Sequence, residues 1–351
     1  MKLKRHLLIL AVFLTLGIAL FVGMIINTGV DKIWGTLSQF SLLKFLVFLA
    51  VSTLNFVLYT LRWDIILKKI HGQPHQIRFF RLFLHRMSGF ALSYLTPSAQ
   101  TGGEPLRIML LEHDNIPTKT ATSSVIIDKA LEFAALFVFI GIGMLMAIFD
   151  GSLPQATRTV FTILLVVILL VIFWFYYSSL KNIGVFSSIL RITRLNRFAR
   201  VKKLEEKMMA VESQMADFYK HHLKTFIILI VISLIISSFL LLEHYLVARF
   251  MGVNLTFFQT FLASTIPYIA YVIPVPGGLG LLEGGHAAIF AALGVNINAF
   301  VLVFIIRMRD LVFVLAGLVH ASKRSLSLLK QTYKNNTAPG AGACSLSTMP
   351  K

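Results

Sequence analysis

The sequence predicts an all-α integral membrane protein with about six full transmembrane helices and two Pro/Gly-broken re-entrant hairpins of opposite orientation. Of its 351 residues, 57% are apolar and only 14% are charged. An average soluble domain is about a quarter charged and a little under half apolar. Mean hydropathy is +0.80, and a soluble chain of this size would need far more polar surface to cover its core. Collagen-like, disordered and disulfide-scaffold classes are excluded.

Basic residues outnumber acidic ones by 33 to 15, which gives a formal net charge of +18. In a soluble protein this excess would suggest nucleic acid as the partner. In a membrane protein it indicates cytoplasmic loops that carry Lys and Arg. Because no basic domain with its own core lies outside the apolar runs, we expect no nucleic-acid partner.

The first two apolar runs cover residues 7–27 and 42–61. Each is long enough for a bilayer core of about 30 Å, which needs about 20 helical residues. Residues 7–27 are interpreted as an uncleaved span, because the run is too long for a signal peptide and no small-x-small cleavage site follows. Arg62 and Trp63 end the second run and predict an anchor at the membrane interface.

Four further runs, at residues 121–149, 159–177, 226–250 and 299–320, complete the six predicted spans. Between the fourth and fifth lies the most charged stretch, residues 181–224. It predicts a basic cytoplasmic amphipathic helix that either sets orientation or is attracted to anionic lipid headgroups.

Residues 1–325 are predicted to form one polytopic domain. Residues 326–351 end in a stretch rich in Gly, Ala, Ser and Pro, which predicts a disordered cytoplasmic tail. The distribution of Lys and Arg between loops favours a multi-pass protein of the cytoplasmic (inner) membrane with both termini in the cytoplasm.

Two segments, residues 79–105 and 257–293, do not fit as ordinary spans because Pro and Gly interrupt them. Broken helices at membrane depth are tolerated only where protein or a water-filled cavity covers the backbone. Loop charges place both ends of the first segment inside and both ends of the second outside. This is the pattern of inverted repeats that meet near the midplane. The alternative is two tight loops between ordinary short helices.

The first break contains Gly102, Gly103, Glu104, Pro105 and Arg107. Proline is favoured in the first helical turn, and the N–H groups of a helix start attract an anion. The two glycines permit close approach, and Arg107 offers a fork suited to phosphate. Glu104 either complements the helix start or meets a cation.

The second break repeats this theme with Pro276, Gly277 and Gly278, followed by Glu283. Glu283 either complements the terminus of the next helix or faces a ligand. His286, three residues later, is interpreted as a packing residue.

Charges within the predicted spans form a second set of candidates. Asp128 and Glu132 share one helix face, which Ser124 extends by a turn. Arg307 and Asp310 share a face of the last span. Such charges normally face a bundle interior or a cavity. They either form a structural ion pair, Asp128 or Glu132 with Arg307, or line a translocation path.

Enzyme and channel classes find little support. The sequence has no Walker lysine loop, no Rossmann glycine fingerprint and no His/Cys metal spacing. No filter-like repeat is present either. We therefore expect no catalytic residues, no metal and no cofactor, and a role in transport or lipid handling remains.

The runs at residues 102–107, 128–132 and 276–283, followed by Arg307, resemble the lysylphosphatidylglycerol synthase transmembrane family. This is the flippase-like membrane domain of the multiple peptide resistance factor. The resemblance covers about residues 5–325 with the motifs in order, although Lys129 stands where Arg is commoner. It implies a stand-alone member without the synthase's soluble catalytic half. A transferase name for such a member would come from the family and not from a catalytic domain of its own.

The resemblance implies lipid translocation, with a phospholipid or lipid-linked headgroup entering a polar cavity where the two hairpins meet. Arg107 and Arg307 would hold phosphate. Amines or protons would be held by the carboxylates Glu104, Asp128, Glu132 and Glu283. The alternative is a membrane component of aminoacyl-phospholipid synthesis that works with a separate catalytic chain, and a third is a scaffold. Besides lipids, a separate synthase or a second copy of this chain are the expected partners.

Overall fold

The computed structural model describes residues 26, 34–35, 41–72, 76–96, 98, 100–150, 155–181, 199–273 and 275–337. Within these residues every regular element is helical. In chain order the helices are α1 Leu42–His71, α2 Phe79–Leu95, α3 Glu104–His113, α4 Thr118–Asp150, α5 Gln155–Leu180, α6 Ala199–His221, α7 Leu223–Phe250, α8 Phe257–Thr265, α9 Leu281–Ala292 and α10 Ala299–Thr337. Two 3₁₀ turns, Ile266–Val272 and Pro276–Gly278, separate α8 from α9.

Four helices are long and apolar enough to cross a membrane: Leu42–His71, Thr118–Phe149, Arg158–Leu180 and Leu223–Phe250. They contain four of the six predicted spans and confirm an all-α membrane protein. The predicted span 7–27 lies outside the described residues except for its penultimate position. The predicted span 299–320 lies within α10, and three charged side chains lie near the middle of that span.

Local sequence explains where several helices begin and end. α1 begins after Ser41, whose hydroxyl accepts from the Lys44 N–H, and ends at Gly72 with a φ of 75°. α8 begins with a capping box between Thr256 and Gln259. α3 carries a proline in its first turn, as the sequence predicts.

Both Pro/Gly segments are interrupted helices. α2 and α3 flank the first break at residues 96–103, and α8 and α9 flank the second. The second break touches the end of α2, where the first break begins, because a β-carbon on Gly277 would lie 3.0 Å from the Tyr94 ring. Gly277 and Gly278 have φ of 57° and 60°, a region that favours glycine.

Close backbone contacts hold the first segment against its neighbours. A β-carbon on Gly103 would lie 1.8 Å from the Gly89 carbonyl oxygen, so α2 and the start of α3 pack main chain to main chain. Where α10 crosses α2, a β-carbon on Gly317 would lie 2.3 Å from the Met87 oxygen. Small residues of this kind let membrane helices approach closely.

The basic segment contains a helix, α6, as predicted from its pattern. Its apolar face packs against α1, α4 and α7 through side chains that include Val211, Met215 and Tyr219. Residues 182–198 of the segment lie outside the described residues. α10 continues past residue 325, where the polytopic domain was predicted to end, to Thr337; residues 338–351 of the predicted tail lie outside the described residues.

Candidate functional site

A cavity of about 350 Å³ lies between α1, α2, α3, α4, α7 and α10 and the first 3₁₀ turn. Its volume falls in the range of small-molecule sites, about 300–1,000 Å³. Charged side chains of both signs border it. Seven aromatic side chains also line it: Phe56, Tyr59, Phe90, Phe133, Phe137, Tyr268 and Tyr271.

Asp128 is the centre of the first group of charges. Its side chain is fully buried and accepts from three guanidinium groups. Arg62 Nε lies 2.9 Å from Oδ1, Arg107 Nη2 lies 2.8 Å from Oδ2, and Arg86 Nη1 also donates to Oδ2. The three arginines come from α1, α2 and α3, so one carboxylate on α4 joins four helices.

Two further carboxylates complete this group. Glu132 accepts from Arg86 at 2.5 Å and from Lys129 at 2.8 Å. Glu104 accepts from Arg107 at 2.9 Å and lies 3.5 Å from the Lys129 ammonium. We call this group the central charge cluster; its members are Arg62, Arg86, Glu104, Arg107, Asp128, Lys129 and Glu132. Its four cations and three carboxylates leave one positive charge beside the cavity.

Aromatic rings cover the guanidinium groups of the central charge cluster. The Arg86 guanidinium lies 4.6 Å from the centre of the Tyr59 ring, and that of Arg107 lies 3.9 Å from Trp63. The indole N–H of Trp63 donates to Ser124 at 3.3 Å. Arg62 and Trp63 are therefore fully buried, and the prediction that they anchor the membrane interface is wrong. Arg62 lies in the interior because its guanidinium group pairs with the buried carboxylate of Asp128.

The second break has its own group of contacts, the Arg307 cluster. Arg307 Nε donates to Glu283 at 2.6 Å, and Nη1 donates to the Gly277 carbonyl at 2.9 Å and the Tyr94 hydroxyl at 3.1 Å. Nη2 lies 3.4 Å from the carbonyl oxygen of Gly278. Glu283 is fully buried and also accepts from the Gly280 N–H at 2.8 Å, which caps α9.

This geometry corrects the predicted ion pair between Arg307 and Asp128 or Glu132. Arg307 bonds to Glu283, because the second break exposes two carbonyl groups and a carboxylate that need a donor. Asp128 and Glu132 on α4 pair instead with cations on α1, α2, α3 and α4.

Asp310 belongs to a third group, the Arg309 cluster. Arg309 Nη1 donates to Glu243 on α7 at 2.7 Å and to Ser52 on α1 at 3.0 Å. Asp310 Oδ1 lies 2.9 Å from Arg309 Nε. Arg309, Glu243 and Asp310 all line the cavity. With two carboxylates to one guanidinium, this cluster leaves one negative charge.

A polar group outside the spans ties α2 to the loop before α4. His85 donates from Nε2 to Asp114 at 2.9 Å, and Arg81 and Arg324 lie 3.4 and 3.3 Å from the same carboxylate. Burial would raise the pKa of Asp114, but the hydrogen bond from His85 and the charges around the carboxyl hold it below its ordinary value.

The comparisons identify the family. The profile described as "lysylphosphatidylglycerol synthase TM region" matches residues 8–317. The chain belongs to this family. A UPF0104 membrane protein of Methanothermobacter thermautotrophicus is 25% identical over 300 residues, which cover 82% of this chain and 86% of the relative. One of Pyrococcus horikoshii is 24% identical over 306 residues, covering 84% and 88%.

In this member of the lysylphosphatidylglycerol synthase TM family, the predicted candidates fall into three places. Gly102, Gly103, Glu104, Arg107, Asp128 and Glu132 lie at or beside the central charge cluster. Pro276, Gly277, Gly278, Glu283 and Arg307 lie at the second break, and Asp310 lies in the Arg309 cluster. The matched family describes a transmembrane region, and the comparisons indicate no catalytic domain.

Sequence reasoning missed Arg62, Arg86 and Arg309, and it made Glu243 only a weaker candidate because this residue lies near an end of the fifth predicted span. Each is a charge within or at the end of an apolar run, which was the available signal. Arg62 resembled an interface anchor, and Arg309 lies off the face shared by Arg307 and Asp310. Only their partners on other helices reveal their position.

Four cavity-lining residues of this family member have a buried polar atom without a hydrogen-bond partner among the described residues. They are the Nε atoms of Arg107 and Arg309, the Oδ1 of Asn55 and the Oε1 of Glu243. A buried polar atom normally has a partner. The residues around the cavity therefore hold two unused donors and two unused acceptors.

Proposed function

We propose that this protein translocates phospholipids or lipid-linked headgroups between the leaflets of the cytoplasmic membrane. The observation that carries the proposal is the cavity of about 350 Å³, which has fixed charges of both signs and an aromatic wall. A headgroup could enter it while the acyl chains stay in the bilayer. Membership of a lipid-related membrane family supports the same role.

The chemistry of the cavity suits a headgroup that contains phosphate. The central charge cluster has one positive charge in excess, and the Nε of Arg107 is unused. Arginine binds phosphate oxygens through its planar fork. Glu104 and Glu132 border the same space and could receive an amine or exchange a proton. In this proposal Arg307 and Glu283 hold the second break rather than the headgroup, because their hydrogen bonds go to each other and to the break.

The proposed orientation follows the loop charges. Both termini and residues 181–224 face the cytoplasm, the first break enters from inside, and the second enters from outside. The contact between Tyr94 and Gly277 supports this arrangement, because it places the second break against the end of α2, where the first break begins.

Filling the cavity tests the proposal. Ser237 lines the cavity from α7, whereas the neighbouring Ser238 is exposed on the outer face of the same helix. We expect Ser237→Trp to reduce headgroup-labelled lipid translocation in proteoliposomes at least tenfold, because the indole occupies the headgroup space. Ser238→Trp is the matched control and should translocate at the wild-type rate.

The assay uses dithionite quenching of fluorescent phospholipids with several headgroups, beside the melting temperature of each variant in detergent. Equal translocation by both variants at equal melting temperature would show that the cavity is not the path.

The name of the matched family favours a second candidate, a membrane component of aminoacyl-phospholipid synthesis. In that role the cavity would present a lipid headgroup to a separate catalytic chain. Purified protein that binds headgroup-labelled lipid without moving it between leaflets would favour this candidate over translocation.

A further inference from the structure

Two histidines meet end to end beside the cavity. Nε2 of His244 on α7 lies 3.1 Å from Nε2 of His286 on α9. Both side chains are buried, and their rings are parallel within 2° with centroids 5.3 Å apart. The centroid distance exceeds the nitrogen distance by about two ring radii. This is possible only when the rings are nearly collinear, so the two nitrogens point directly at each other.

The remaining ring nitrogens fix the tautomers. Nδ1 of His244 lies 2.8 Å from the Leu240 carbonyl oxygen, and Nδ1 of His286 lies 2.8 Å from that of Leu282. A carbonyl oxygen only accepts, so both Nδ1 atoms carry a proton. A neutral imidazole has only one N–H. Two neutral rings would therefore face each other with two bare lone pairs at 3.1 Å.

We propose that His244 and His286 form a proton-binding site. One Nε2 takes a proton from water and donates it to the other Nε2, so that the pair carries three ring protons and one positive charge. The nitrogen separation of 3.1 Å matches an N–H···N hydrogen bond. The proton is therefore the cation that this separation fits.

Charges of both signs lie around the pair. Tyr268 faces both rings from the 3₁₀ turn, Glu283 lies on α9, and Arg307 and Arg309 approach from α10. Each arginine is paired, Arg307 with Glu283 and Arg309 with both Glu243 and Asp310. Counted with these ion-pair partners, the two cations and three carboxylates sum to one negative formal charge.

A second histidine pair in the protein needs no extra proton. Nδ1 of His85 lies 3.0 Å from Nε2 of His320, and Nε2 of His85 bonds to the Asp114 carboxylate. His85 donates to Asp114 and accepts from His320, so two neutral rings satisfy both contacts with two protons. This pair is the matched control.

The site links proton binding to the position of the second break. His244 lies on the long helix α7, whereas His286 lies on α9, directly after the break. The shared proton is held only while α9 stays against α7. By linkage, a movement of α9 away from α7 releases the proton, and loss of the proton weakens that contact. This inference does not depend on the lipid, because the proton count holds whatever the cavity carries.

Nitrogen-15 NMR of histidine-labelled protein in lipid bilayers tests the site. At about pH 8, well above the ordinary histidine pKa of about 6.5, we expect one imidazolium signal in the wild type. His286→Gln should remove it while keeping the fold, since the amide N–H₂ donates to His244 without an extra proton. His85→Gln should retain the signal.

A wild-type spectrum with only neutral imidazoles at about pH 8 would overturn the proposal, as would an imidazolium signal that survives His286→Gln but not His85→Gln. A melting temperature for His286→Gln close to the wild-type value shows that the loss of signal does not come from unfolding. Translocation assays on the same samples report separately on the proposed function, so the two proposals can fail independently.

Discussion

Asp128→Asn is expected to cause the largest loss of stability of any single substitution in the central charge cluster. Arg62, Arg86 and Arg107 all donate to the Asp128 carboxylate, whose side chain is fully buried. Removing one partner of a buried ion pair costs about 3–5 kcal/mol, because the other charge is left buried without compensation. Here three guanidinium groups lose the negative charge that they share, so we expect the upper end of that range or more.

The measurement is the melting temperature of purified protein in detergent, which should fall by roughly 10 °C or more. The matched control is Asp217→Asn, because Asp217 is exposed on α6; it should melt with the wild type. Combining Asp128→Asn with Arg62→Gln should restore little, since Arg86 and Arg107 still lack their acceptor. A double variant as stable as the wild type would show that Arg62 and Asp128 are an isolated pair.

Arg307→Gln is expected to open the second break. It removes the donor for the buried carboxylate of Glu283, for the carbonyl of Gly277 and for the hydroxyl of Tyr94. We expect a loss of about 3–5 kcal/mol, because Glu283 stays buried at 0% exposure without its cation. Arg307→Lys should rescue only part of it, since an ammonium cannot reproduce the planar fork.

Limited proteolysis beside thermal melting checks this result, since an opened break should expose the chain between Val272 and Gly280. The control is Arg249→Gln at the exposed end of α7. Wild-type stability of Arg307→Gln would mean that the glycine conformations alone hold the break.

Much of the architecture could be predicted because its determinants are local. Apolar run length identified helices that the structure contains at residues 42–71, 118–149, 158–180 and 223–250. Pro and Gly marked both interruptions. Glu104 and Glu283 lie in the first turns of α3 and α9. The sequence predicted both helix starts from the Pro and Gly residues beside them.

The partners of the buried charges could not be predicted, because they depend on tertiary packing. Helix spacing placed Asp128 and Glu132 on one face but did not show which helix supplies the cations. Arg307 was the obvious choice by charge, yet it bonds at the second break. The contact between His244 and His286 could not be predicted from the sequence either, since the residues are 42 positions apart.

Headgroup occupancy of the cavity tests the central claim most directly. The experiment irradiates purified protein in bilayers with a phospholipid that carries a photoreactive headgroup, and mass spectrometry locates the cross-links. We predict cross-links on cavity residues such as Lys129 and Tyr271, lost in Ser237→Trp and kept in Ser238→Trp. Cross-links confined to outward-facing side chains, with the same pattern in both variants, would contradict the account.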